Sequence, residues 1–166
     1  MKGAIVYYSN YGSTRQYAEW IAEETGFTLL DQKSDSVSLD EFDTVVIGSP
    51  TLKMEPFLAK WINENWKTLG EKRVFLFSTS GATAEEPGLQ AGFRRAFPAN
   101  VAKRIDYTPL QGRMVWKDLK PMHKLMMRIG SMIEKDPVRK KGMLQDVDGV
   151  DRSAIGPLVS RLNALR

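Results

Sequence analysis

Apolar positions recur along this chain in two rhythms. Ile5 to Tyr8 is a short apolar run between Gly3 and Ser9, the pattern of a strand buried on both faces. From Ser13 the period lengthens to that of a helix, with Tyr17, Ala18, Ile21 and Ala22 inward and Gly26 at its end. Ser13 and Gln16 are spaced as a capping box for its start. FTLLDQ (27–32) reads as a second, weaker strand and DTVVIGSP (43–50) as a third, stopped by Gly48 and Pro50. PFLAKWINENWKTLG (56–70) predicts one helix with proline in its first turn and Phe57, Leu58, Trp61, Ile62 and Leu69 inward. KRVFLFSTSG (72–81) is a fourth strand, EEPGLQAGFRRAF (85–97) a shorter helix, and RIDYTPLQGRMV (104–115) a fifth strand interrupted by Pro109. LKPMHKLMMRIGSMIEK (119–135) and DRSAIGPLVSRLNALR (151–166) predict helices, with a polar, basic loop at 136–150 between them. Strands alternating with helices predict a single α/β domain over 1–166, an open parallel sheet covered on both faces.

Open parallel sheets bind ligands beyond the carboxyl ends of their strands, so the turns there carry the candidate chemistry. They are SNYGST (9–14), GSPTLKME (48–55) and STSGATAEEPG (78–88). In the first, the amides that open a helix lack partners and face outward beside the positive end of its dipole. Gly12 lets the backbone approach an anion, Ser9, Ser13 and Thr14 offer hydroxyls, Asn10 an amide and Arg15 a charge at the rim. A plain cap and turn is the alternative for 9–14 alone; the two companion turns favour an anion site. The turn is not G-x-G-x-x-G, and no G-x-x-x-x-G-K-S/T occurs. A cysteine-type phosphatase loop needs a thiol the chain lacks, and a phospho-acceptor receiver would place acids where Ser9 and Asn10 stand.

Composition narrows the chemistry further. With no cysteine and one histidine, His123, there is no thiol nucleophile, thiolate cluster or imidazole pair. Redox work would need a bound organic cofactor. The net charge of +4 is local: residues 113–141 carry nine Lys/Arg against three acids, net +6, which leaves the rest at −2. No run approaches the roughly 18 apolar residues of a membrane span, and the first residues lack a signal-cleavage pattern. A soluble cytoplasmic protein is expected. His123 is expected to be an exposed or half-buried helix residue, with proton transfer beside a quinone or flavin as the alternative, and Trp61 and Trp66 are expected to pack. Asp146, Asp148 and Asp151 are spaced like calcium ligands, but the loop glycine and closing glutamate are missing, so a polar loop is expected there.

The pattern Ser9-x-Tyr11-Gly12-x-Thr14 after the first strand resembles the phosphate loop of flavodoxins, usually Ser/Thr-x-Ser/Thr-Gly-x-Thr. GSPTLKME and STSGAT fall where flavodoxins carry their two isoalloxazine loops. The resemblance covers nearly the whole chain. It implies a flavodoxin-like five-stranded parallel sheet in the order 2-1-3-4-5, an FMN cofactor and one- or two-electron chemistry. On it, Ser9, Asn10, Tyr11, Gly12, Ser13 and Thr14 would take the phosphate. Pro50, Thr51, Leu52, Lys53 and Met54 would flank the ring on one side, and Thr79, Ser80, Gly81, Ala82, Thr83 and Ala84 on the other. Tyr11 stands where a Ser or Thr is usual, and neither ring loop carries the stacking aromatic of typical flavodoxins. Leu52, Lys53 and Met54 would have to pack there, or Trp116 arrive from elsewhere. No acid–base residue is singled out.

GRMVWKDLKPMHKLMMRIGSMIEK is similar to the insertion of menaquinone-dependent protoporphyrinogen oxidases, where a basic helix containing methionine and aromatics follows the fifth strand. This places a basic helical insertion at about 113–141. Met122, Met126, Ile129 and Ile133 share one face of it, read as the buried one, and Lys120, Lys124, Arg128 and Lys135 lie nearly opposite. Solvent, an acidic partner, an anionic membrane surface, at the inner face of the membrane, or an anionic substrate would suit the basic face. Nucleic acid is not expected, for want of an aromatic-interleaved binding motif. Three functions stay open: an FMN redox protein passing electrons between protein or quinone partners, a quinone-linked protoporphyrinogen oxidase-like enzyme, and a flavin-free binding module on the same fold.

Overall fold

The computed structural model describes residues 1–33 and 37–165. Strand β1 (Gly3–Tyr7) leads into helix α1 (Ser13–Thr25), then β2 (Thr28–Asp31) and β3 (Thr44–Leu52). A short return strand β4 (Glu55–Pro56) precedes α2 (Ala59–Glu64) and α3 (Trp66–Leu69). Next come β5 (Arg73–Ser80), α4 (Pro87–Ala96), α5 (Ala99–Ala102) and β6 (Ile105–Gln111). After β7 (Arg113–Met114) and a 3₁₀ turn, α6 (Pro121–Ile133) and α7 (Pro137–Gly142) lead to β8 (Val147–Asp148). A second 3₁₀ turn and α8 (Gly156–Asn163) close the chain.

The five parallel strands lie in the order β2-β1-β3-β5-β6. With the β4 hairpin set aside, this is the expected 2-1-3-4-5. Alternation explains why the strands read as unbroken apolar runs. Ala4, Val6, Val45, Ile47, Val74 and Leu76 meet Ile62, Leu69 and Phe93 on one face. Ile5, Val46, Phe75 and Phe77 meet Tyr17, Ile21 and Leu158 on the other. Pro109 is tolerated because β6 is an edge strand. Arg161 of α8 reaches that strand, donating from Nε and Nη2 to the two Asp106 carboxylate oxygens at 2.9 and 3.0 Å and to Thr108 Oγ1 at 2.7 Å.

Expectations at several elements need correcting; the strand read over 104–115 is β6 followed by β7, which belongs to a second, two-stranded sheet. The helix read over 56–70 is two helices broken at Asn65 (φ −97°, ψ 9°), whose Nδ2 donates to the Trp61 carbonyl at 2.8 Å. Phe57, expected inward, is instead exposed and stacked on Tyr8 at 4.6 Å. The loop read over 136–150 contains α7, capped by the Asp136 carboxylate, and β8, which pairs antiparallel with β7. On α6 the face read as buried is turned outward: Met122, Ile129 and Ile133 are exposed, while Ser131 is buried. Arg166, the end of the helix read over 151–166, lies outside the described residues.

Tyr17 joins the two ends of the fold. Its phenol, fully buried, donates to the Gln111 carbonyl at 2.7 Å and accepts the Asp151 N–H at 3.1 Å. Burial pushes its pKa above the ordinary tyrosine value, so it stays a donor. Tyr17→Phe leaves both backbone groups unanswered. Urea titration should show a loss of about 1–3 kcal/mol with an unchanged denaturant slope.

Candidate functional site

Thr14 Oγ1 and Thr79 Oγ1 share a hydrogen bond of 2.8 Å, and Thr51 Oγ1 donates to the Thr79 carbonyl at 3.3 Å. One residue near the end of β5 thus ties the turns after β1, β3 and β5 into a single surface. Thr14 and Thr79 are both buried, so water does not compete for their bond.

In the first turn Gly12 caps α1 at φ +95°, a conformation that strains L side chains, and the space a Cβ would take is open. No side chain bonds the first helical turn, so the expected capping box of Ser13 and Gln16 does not form. Gly12, not Ser13, is the cap, and the hydroxyls are engaged elsewhere: that of Ser13 accepts the Arg113 N–H at 2.9 Å and that of Thr14 is held by Thr79. Gln16 N–H donates to the Gly12 carbonyl at 2.9 Å instead. The amides of Ser13, Thr14 and Arg15 have no partner among the described residues, and no acid stands in the first turn. They are aligned with the positive end of the helix dipole. Ser9 Oγ receives the Gly12 N–H at 3.0 Å, and Asn10 Oδ1 receives the Tyr8 hydroxyl at 3.2 Å.

Two residues outside the set expected at this turn complete it. Lys33, just beyond β2, donates through Nζ to the Ser9 carbonyl and lies 4.3 Å over the Tyr8 ring. Its one signal in the sequence is its place past the strand that pairs with β1. His123 arrives from α6 and hydrogen-bonds through Nδ1 with the Tyr11 phenol, which also accepts the Lys120 N–H at 3.1 Å. Tyr11 therefore belongs to the turn by its backbone and to the insertion by its side chain.

The second turn is strained. Leu52 pairs with Glu55, leaving Lys53 (φ +52°) and Met54 (φ +67°) as a two-residue tip. Consecutive left-handed residues with side chains cost on the order of 1–2 kcal/mol each. Helix α4 holds the tip in place, coming so close that a Cβ on Gly92 would stand 2.0 Å from the Met54 carbonyl oxygen. Arg95 adds an ion pair to Glu55 at 3.1 Å. Pro50 and Thr51 are half-buried and Leu52 is exposed.

The third turn keeps its carbonyls occupied. Gly81 O accepts from Gln111 Nε2 at 3.3 Å, Ala82 O from the Ser80 hydroxyl at 3.2 Å, and Thr83 O from the Glu86 N–H at 3.1 Å. The amides of Gly81, Ala82, Thr83 and Ala84 have no partner among the described residues. Met114 lies 3.9 Å from where a Cβ on Gly81 would stand.

The insertion is anchored at both the first and third turns. Glu86, the cap of α4, accepts the Gly88 N–H at 3.3 Å and pairs with Arg139 of α7 at 3.2 Å. At its root Arg113 meets Asp148 at 2.9 Å. That hydrogen bond, first among the causes, holds the Asp148 carboxyl below the ordinary carboxylate range. The clasp is at full strength above that range and weakens as pH falls through the lowered value. Trp116 stays with the insertion: its N–H donates to Asp146 Oδ1 at 2.6 Å, and Arg128 lies 5.8 Å over its ring. Asp151 caps the second 3₁₀ turn through the Ser153 N–H. No group of three acidic or histidine side chains suited to a metal occurs among the described residues. The surface therefore offers unpaired amides at the positive end of α1 on one side and a second set of unpaired amides, beside apolar side chains, on the other.

A model of the flavodoxin domain matches residues 4–141. A Fusobacterium nucleatum flavodoxin bound to flavin mononucleotide is similar in structure, with a TM-score of 0.52 at 17% identity over 99% of each chain. A flavodoxin, WrbA-like protein from Agrobacterium tumefaciens gives 0.51 at 14% identity, again over 99% of each chain. At such identities the likeness speaks for the fold. No curated protein matches the sequence.

Gly92→Ala drives a methyl group into the Met54 carbonyl. Thermal and urea denaturation should show a loss of about 1–3 kcal/mol or more as helix and hairpin tip separate. Met54→Gly removes the penalty at φ +67° and should instead leave stability unchanged or raise it by up to about 1 kcal/mol.

Proposed function

The chain belongs to the flavodoxin domain family, and from that membership we propose that it binds one FMN without covalent linkage and passes electrons between protein or quinone partners. The observation that carries this reading is the presence of two sets of unpaired amides, at 13–15 and 81–84, on one surface tied together through Thr79. The fit is chemical. A phosphate dianion suits the start of α1 with Lys33 close by, and the carbonyl-bearing edge of a flavin suits the donors after β5. FMN, when bound, would supply the electron and hydride transfer.

The chain's own part is positional. The amides of Ser13, Thr14 and Arg15 would hold the phosphate, with Ser9 and Asn10 beside it. Pro50 to Met54 and Thr79 to Ala84 would flank the ring, and the strained tip fixes the first of these walls. Leu52, exposed beside that tip, is the apolar group available where an aromatic would stack. The Tyr11 phenol accepts the Lys120 N–H and shares a hydrogen bond with His123 Nδ1 whose direction follows the imidazole tautomer.

A second reading, a quinone-linked enzyme similar to the protoporphyrinogen oxidases, is favoured by the place of the basic insertion. Its anchors at Tyr11 and Glu86 hold a segment of net charge +6 (113–141) against the site. A substrate bearing carboxylates would meet complementary charge there.

FMN added to the purified protein should give a bound-flavin spectrum. Gly12→Val, which forces a branched side chain to φ +95°, should weaken that binding at least tenfold, on the order of 1.4 kcal/mol. A chain that takes up no FMN would be a flavin-free binding module. With FMN bound, anaerobic reduction followed by stopped-flow mixing with a menaquinone analogue should reoxidise the protein. Turnover of a porphyrinogen donor in the same assay would select the enzyme reading, and its absence the electron carrier.

A further inference from the structure

Helix α6 carries its apolar side chains away from the protein. Met122, Leu125, Ile129, Met132 and Ile133 are 64%, 57%, 48%, 79% and 73% exposed. At about 100° per residue they form one stripe roughly 100° wide and about 16 Å long. The opposite side faces the protein through buried Ser131 and half-buried His123, Met127 and Gly130. Val138 and Leu144 extend the exposure beyond the helix, so seven of the eleven large apolar residues exposed in the described chain fall within 122–144. Scattered single exposures need no explanation; a patch of this density does.

The charge around the stripe says what covers it. Arg128 of α6 and Lys135 just past its end lie beside the stripe, about 90–110° from its centre, and Lys140 and Lys141 follow on α7, while Lys120 and Lys124 stand further round toward the protein. Of the nearby acids, Asp136 is taken up capping α7. The stripe itself is aliphatic and thioether, without the aromatic anchors that dominate protein interfaces. Long basic side chains beside such a stripe reach outward to phosphates while their stems stay on apolar ground. No helix among the described residues is long and apolar enough to cross a membrane, so α6 would lie along the surface.

We propose that α6 docks in the headgroup region of an anionic lipid bilayer, its Met122–Ile133 stripe toward the acyl chains and its Lys/Arg flank on lipid phosphates. The orientation is set within the protein: the Tyr11 phenol, by taking the Lys120 N–H and the His123 ring, pins the start of the helix so that the stripe stays outward. This surface is separate from the amides of the flavin reading and does not depend on it.

The test is co-sedimentation of the purified chain with large unilamellar vesicles of phosphatidylcholine, with and without phosphatidylglycerol. The chain should pellet with the anionic vesicles, bind the neutral ones at least tenfold more weakly, and lose affinity as salt is raised. Ile129→Glu combined with Ile133→Glu should abolish binding while circular dichroism and FMN uptake stay as in the parent, since both side chains point to solvent. Equal binding to both vesicles, binding to neither, or binding indifferent to the double substitution would overturn the proposal. So would a dimer in gel filtration that the double variant converts to a monomer, which would give the stripe to a second copy of the chain.

Discussion

The hydrogen bonds of Thr79 are the constraint on which the carboxyl edge of the sheet depends. Its side chain is shared with Thr14 and its carbonyl with Thr51. The residue sits on β5, between β3 and β6, paired in register with Pro50 and Leu110. Three turns that would otherwise move independently are therefore indexed to one strand in the middle of the fold. Such preorganisation has a cost, and it appears next door, where Lys53 and Met54 hold left-handed backbone without a glycine. The close approach of α4 at Gly92 keeps that arrangement from relaxing.

A division of labour among polar groups follows. Side-chain hydroxyls of the first turn build the frame: Ser13 bonds Arg113, Thr14 bonds Thr79, Ser9 receives Gly12. Backbone amides at 13–15 and 81–84 remain for something else. The sequence pattern rich in serine and threonine marks this turn, and in the structure three of its hydroxyls bond partners within the protein. The hydroxyls are there because small polar side chains satisfy one another in a crowded edge, and that leaves the peptide donors unspent.

What could be read from the chain and what could not divide along the same physical line. Strands β1, β3 and β5 are legible because both faces are buried and their runs are uninterrupted. The sheet order follows once the helices are placed. Gly26 ends α1 at φ +66°, as its position suggested. The outward Phe57 and the engaged hydroxyls of the first turn depend on partners distant in sequence, Tyr8 for Phe57 and Arg113 and Thr79 for the turn, whereas the break at Asn65 is local, its amide bonding the Trp61 carbonyl. Lys33 and Arg139 reach the turns from other elements, and nothing in their local sequence announces it. The left-handed Met54 is hidden for another reason, since a turn of that shape normally advertises itself with glycine.

Helix α6 shows the limit of periodicity most sharply. The spacing of Met122, Ile129 and Ile133 tells which residues share a face, but not whether that face meets the core or the outside. Contacts outside the helix make that decision, Tyr11 among them. A serine or threonine in its place, as the usual phosphate loop has, would be too short to reach the insertion, leaving the Lys120 N–H and His123 without this partner. The residue that departs from the pattern is thus the one that ties the first turn to the start of the helix. What looks like the loss of a phosphate hydroxyl is better explained as a tether, exchanging one donor in a turn well supplied with amides for control over where an exposed apolar stripe points.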